Sequence, residues 1–134
     1  MSASSALQKA VIAAMRGDAT LASLVGDRIY DVPPGGAPKP FVSLGPTSFF
    51  PDPRDCMPAR IETIQVDVWT VDQSRRQPCK AICNAVEAVL DGATLALDDP
   101  YALGTCDLTL GRVLDDPDGI TKHGVLQFRC EVAG

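Results

Sequence analysis

Between Arg60 and Val71 the chain reads R-I-E-T-I-Q-V-D-V-W-T-V, with β-branched and aromatic residues on both sets of alternate positions. Such side chains lose rotamer freedom in a helix but pack well on a pleated surface. A strand with apolar residues on both faces needs neighbours on both. The segment is therefore read as a central strand around which the rest must be arranged.

Two stretches change period. Ser5 to Met15 places Leu7, Ala10, Val11, Ala14 and Met15 on one helical stripe, with Ser4 or Ser5 available as a cap. Gly17 interrupts this helix, and Asp18 can cap a short continuation through Leu21 to Val25 that Gly26 closes. Gln73 to Leu90 repeats the helical spacing through Ile82, Ala85, Val86, Val89 and Leu90, with Ser74 as cap, Pro78 near the first turn and Gly92 after the end. Short strands are expected at Arg28 to Asp31, Phe41 to Gly45 and Thr94 to Leu97. Longer ones are expected at Thr105 to Leu114 and His123 to Val132, the last two joined by a turn at Asp115 to Lys122. The prolines and glycines of Asp31 to Pro40 and the Pro, Asp and Ser of Pro46 to Ala59 read as two long loops. The whole predicts a single α+β domain over residues 1–134: one mainly antiparallel sheet of four to five strands with two helices packed on one face.

At 134 residues the chain is one ordinary domain with a core of its own. No apolar run approaches the roughly 20 residues of a spanning helix, and Met1 to Lys9 lacks the pattern of a secretory signal, so no membrane role and a cytoplasmic origin are expected. The formal charge of −5 disfavours binding to nucleic acid, which rests on Lys and Arg displacing counterions. Cys56, Cys79, Cys83, Cys106 and Cys130 are an odd set without a signal peptide and read as reduced thiols.

Catalysis needs particular groups within reach of one another. His123 is the sole histidine, has no nucleophile turn beside it, and reads as an exposed turn residue rather than a general base. Cys79 and Cys83 share a helix face, but structural zinc needs four ligands in recognisable pairs, so buried thiols are the reading. Asp115-Asp116-Pro117-Asp118-Gly119 lacks the alternating ligands and distant glutamate of a calcium loop and reads as a turn. Gly35 and Gly36 lead into a strand rather than a helix, which excludes a phosphate cradle. No enzyme activity, cofactor or metal is expected.

The order of the remaining pieces is distinctive. Leu21 to Pro46 reads L-A-S-L-V-G-D-R-I-Y-D-V-P-P-G-G-A-P-K-P-F-V-S-L-G-P. A strand ending Val68-Trp69-Thr70 follows, then the helix Ala81 to Leu90 closed by Asp91-Gly92, then Thr94-Leu95, and last His123-Gly124-Val125-Leu126-Gln127-Phe128. Over nearly its whole length the chain resembles the tail-terminator or tail-completion family of long-tailed phages and gene transfer agents. The resemblance implies a virion protein at the head-tail interface, assembled in the bacterial cytoplasm as a sixfold ring. Such a ring caps the tail tube, stops its polymerisation and joins the tail to the head connector or stopper protein. It would carry no cofactor and let DNA pass without specific binding.

A closed ring requires two different complementary patches on each subunit. Under the resemblance the long loops and the hairpin tip are candidate contacts, with Tyr30, Pro33 and Pro34 in the first loop region. Phe49 and Phe50 in the second loop read equally as an interface pair or as a loop anchor. Arg75 and Arg76 read as a solvated helix start, with an intersubunit contact to an acidic neighbour as the sharper alternative. Six copies at −5 carry a formal charge of about −30, which suggests an acidic lumen lined by Asp115, Asp116 and Asp118. The alternatives are a head-tail stopper or tail-tube subunit of the same particle, and, from another class, a small ligand-binding domain or enzyme.

Overall fold

The computed structural model describes residues 2–53 and 58–134; Cys56 and part of the second long loop lie outside them. The described elements run α1 (Ala3–Arg16), α2 (Ala19–Val25), β1 (Ile29–Tyr30), β2 (Phe41–Leu44), β3 (Ser48–Pro51), β4 (Ala59–Val71), α3 (Gln77–Leu90), β5 (Ala102–Asp115) and β6 (Thr121–Ala133). They form one α+β arrangement, a mostly antiparallel sheet with the helices on one side. The bent helical start resolves into two helices, giving three among the described residues against the two expected, and the sheet has six strands rather than four or five.

The segment expected to be central is central. β4 is flanked by β6 along its whole length, from Ala59 opposite Ala133 to Val71 opposite Thr121. On its other edge β2 covers Val66 to Trp69 and β3 covers Arg60 to Thr63. β1 lies parallel to β2, and β5 closes the far side against β6. Period-two alternation sends Ile64, Val66 and Val68 of β4 and Leu126, Phe128 and Cys130 of β6 toward the helices. There they meet Leu7, Val11 and Met15 of α1, Leu21 and Val25 of α2, and Cys79, Ile82, Val86 and Leu90 of α3 in one buried cluster.

Three local expectations are corrected. The α1 cap is Ser2, whose side chain accepts the Ser5 N–H, not Ser4 or Ser5. α3 begins at Gln77 rather than Gln73, because the Asp72 carboxylate accepts the N–H groups of Ser74 and Arg75 and holds them in a turn. Ser74 therefore does not cap the helix; Arg76 occupies that position without a side-chain cap bond. Residues 94–97 form no strand. Leu95 and Leu97 still pack on the core, but the free edge of β6 is taken by β5 from Ala102 onward, so no ladder is left for them.

Gly26 ends α2 with φ of 63°, a conformation in which a Cβ would be strained. At Gly124 on β6 the reason for glycine is space. A Cβ there would run into the Cys83 thiol and stand 3.2 Å from both the Cys79 sulfur and Val68 Cβ. α3 thus lies on the sheet through its two thiols, and Cys79 directs its Sγ at the Val68 carbonyl.

Candidate assembly surfaces

The sheet face turned away from the helices carries an ordered polar and aromatic row. Trp69 and His123 are register partners on β4 and β6, and their rings stack at 3.8 Å with an 11° interplanar angle. His123 Nε2 lies 2.8 Å from Asp67 Oδ1. Gln65 Nε2 donates to the same Asp67 oxygen at 2.9 Å, and Gln127 donates to Gln65 Oε1 at 3.1 Å. Trp69 Nε1 donates to Ser43 Oγ. The aromatic series continues through Phe41, 6.4 Å from Trp69, to Tyr30, 5.9 Å farther and edge-on. His123 is therefore a half-buried strand residue, not an exposed turn residue; the hairpin turns earlier and ends at Ile120. Asp67 is 6% exposed although no helix covers it. Gly45 makes room for it, since a Cβ there would stand 2.6 Å from Asp67 Oδ2.

Apolar side chains are exposed at both ends of β4. At the Arg60 end, β3 presents Phe49 and Phe50, 56% and 53% exposed. They lie in a strand paired to β4 rather than in a loop, on opposite faces of it, and the Arg60 guanidinium covers one face of the Phe49 ring at 3.9 Å. At the Val71 end, Leu24 of α2, Lys39 and Pro40 of the first long loop, Val71, and Pro78 and Ala81 of α3 line a groove of about 420 Å³.

The charged candidates gather at the Val71 end, and most are engaged within the chain. Arg76 forms a two-pronged pair with Asp115 at 3.0 and 2.6 Å, and Lys122 Nζ approaches Asp115 at 3.3 Å. The Arg76 bond above all, with Lys122 behind it, holds the Asp115 carboxyl below the ordinary carboxylate range. Arg75 pairs with Asp72 at 3.3 Å. Asp118 accepts the Thr121 hydroxyl and the N–H groups of Ile120 and Thr121, which likewise lowers its carboxyl. Asp116 is half-buried and builds the hairpin turn through its backbone, donating to Thr121 O and accepting from Gly119 N–H. Pro33 is half-buried, and exposed Pro34 turns its carbonyl to the Ala37 N–H.

The four described cysteines pack in pairs, Cys79 with Cys83 and Cys106 with Cys130. Cys130 Sγ donates to Cys106 Sγ at 3.5 Å across the hairpin, and that bond together with burial pushes the Cys130 thiol well above its ordinary value. Among the described residues no three His, Cys, Asp or Glu side chains are placed to hold a metal ion, and no helix is long and apolar enough to cross a membrane.

Sheet, helical layer and the two apolar ends define an α+β protein whose distinctive surfaces face outward at the ends of its central strand, β4. The profile of the family described as tail completion protein gp17 matches residues 9–133, and the chain belongs to that family of structural phage-tail proteins. A chain in the structure described as the virion of a native gene transfer agent particle is similar at 30% identity and TM-score 0.90, over 99% of this chain and 98% of that one. The bacteriophage SPP1 gp17 protein is similar at 27% identity and TM-score 0.65, over 96% of this chain and 89% of that one. No curated protein sequence matches.

Proposed function

We propose that this tail completion protein is a ring-forming tail terminator. It caps the tail tube, stops tube polymerisation and supplies the surface to which the head connector or stopper protein joins. The observation that carries the reading is the near end-to-end similarity to a chain of an assembled gene transfer agent virion. The two separate apolar ends support it, since a closed ring needs two unlike patches per subunit. Particles made without this protein should carry tails of abnormal length by electron microscopy. Tails of normal length would rule the terminator out and favour another ring of the same particle.

In this reading the hairpin tip lines the DNA passage. Asp115 is paired with two cations and Asp118 is bound to its own turn, which makes Asp116 the carboxylate to test. Asp116→Lys should leave particles assembled and slow DNA ejection. Unchanged gene transfer would remove the acidic lumen from the proposal.

A further inference from the structure

We infer that Cys106 and Cys130 form an oxidisable latch: hydrogen peroxide met by the particle outside the cell joins the two sulfurs in a disulfide that pins β5 to β6. This rests on the chain's place in a family of phage-tail proteins and not on its role as a terminator. The two residues are register partners on neighbouring strands, both are buried, and their sulfurs stand 3.5 Å apart. The Cys106 carbonyl turns away from β6 to accept the Gly92 N–H at 2.7 Å, and the Leu108 N–H turns the same way to Asp91 Oδ1 at 2.9 Å. The pair is therefore a non-hydrogen-bonded rung, at which opposed Cα atoms stand about 4.5 Å apart and side chains come closest. A disulfide spans Cα separations of about 4.4–6.8 Å, so this rung closes by turning side chains rather than by moving a strand. Cys79 and Cys83 supply the contrast. Residues four apart on a helix hold their Cβ atoms about 5–6 Å apart, beyond the roughly 3.5–4.5 Å that a disulfide needs, so α3 would have to distort for them to join.

The latch sits where β5 is least regular. The β5–β6 ladder shifts register between Leu103 and Thr105 and again between Leu108 and Leu110, and the cysteines stand in the regular run between. A covalent rung there fixes a register that the hydrogen bonds on either side interrupt. β5 is also the edge of the sheet, its outer side held at this point by the bonds from Asp91 and Gly92. Local opening of such an edge admits hydrogen peroxide, which is close to water in size. Cys106 reacts first, because it accepts the Cys130 S–H, and that bond lowers the Cys106 thiol against the opposing effect of burial. The Cys106 thiolate takes one oxygen: the O–O bond breaks, an S–O bond forms, and the hydroxide released takes up the proton that Cys106 gave up. The Cys130 sulfur then attacks the sulfenic sulfur; the S–S bond forms, the S–O bond breaks, and the hydroxyl leaves as water with the Cys130 proton. Two thiols thus lose two electrons to one peroxide, which becomes two waters.

The test treats purified protein and whole particles with dilute hydrogen peroxide, quenches with acid, alkylates the remaining thiols under denaturing conditions and maps the peptides by mass spectrometry. A peptide pair joined through Cys106 and Cys130 is expected, with Cys79 and Cys83 alkylated as free thiols. The same treatment should raise the thermal unfolding midpoint by about 5–10 °C, and dithiothreitol should reverse the rise. In Cys130→Ala peroxide should give no rise. Full alkylation of both thiols after peroxide, Cys106 oxidised to the sulfinic acid without linkage, linkage of either residue to another cysteine, or an unmoved midpoint in the linked wild-type protein would overturn the inference. The wild-type linkage is read without any variant, so poor folding of Cys130→Ala leaves the test intact. Tail length in particles lacking the protein reads the terminator role separately.

Discussion

Asp67 is nearly excluded from water on a sheet face that no helix covers, and it stays there because its neighbours replace the water. Gln65 donates to it, His123 Nε2 stands within hydrogen-bond distance, and the stack of His123 on Trp69 keeps that imidazole in place. Removing the imidazole takes away one of the two partners of Asp67 Oδ1 and leaves Gln65, and a hydrogen bond to a charged group contributes about 1.5–3 kcal/mol. His123→Ala should therefore lower unfolding stability by about that amount in urea titrations, and an unchanged midpoint would mean that water replaces the ring at no loss. Asp115 makes a different prediction, because its carboxyl is lowered by exposed Arg76 above all and by buried Lys122. A carboxyl lower in the folded than in the unfolded chain contributes stability above its unfolded value of about 3.8 and loses it as pH falls through the lower folded value. The stability difference between the wild-type chain and Asp115→Asn should be present at pH 7 and fade as pH drops below about 3.8. A difference independent of pH would show that shape, not charge, matters there.

At the level of elements, the contact of α3 with the sheet depends on glycine facing sulfur. Gly124→Ala drives a methyl into the Cys83 thiol and against the Cys79 sulfur and Val68, an overpacked site of the kind that costs about 1–3 kcal/mol. Adding Cys83→Ala should return much of that loss, and a double-mutant cycle by thermal unfolding checks the coupling. Additive losses would place the clash elsewhere. The same elements show what the sequence made legible. β4, α1 and α3 follow from local periodicity, since their apolar residues repeat over many positions, while α2 is legible only as a short turn between Asp18 and Gly26. β3 escaped because it is four residues beside prolines and is a strand only through its pairing with Arg60 to Thr63. Residues 94–97 misled in the opposite sense: their alternation is real, but no partner edge is free. Of the surfaces, Phe49 and Phe50 were visible as adjacent aromatics. The row from Tyr30 to His123 was not, because it joins four strands and exists only once their register is set.

For the whole molecule, net charge and local neutrality make opposite demands on association. At −5 the copies repel at distance, while the ion pairs of Asp72 with Arg75 and of Asp115 with Arg76 are closed within each chain. Screening the long-range term should then strengthen self-association. Sedimentation at about 0.02 M and 0.5 M salt, across which the Debye length falls from roughly 20 to 4 Å, should show larger assemblies at the higher salt. Dissociation by salt would instead mean ion pairs crossing the contact. The unbroken pairing of β4 with β6 has a mechanical consequence as well. A ladder pulled along its strands is loaded in shear, so its thirteen register positions resist together, whereas the two-position pairing of β1 with β2 would peel one bond at a time. The two exposed apolar surfaces lie at opposite ends of β4, so a load on one reaches the other along that ladder. In the ring proposed for this protein, subunits joined through these ends would form a hoop whose tension runs along paired strands.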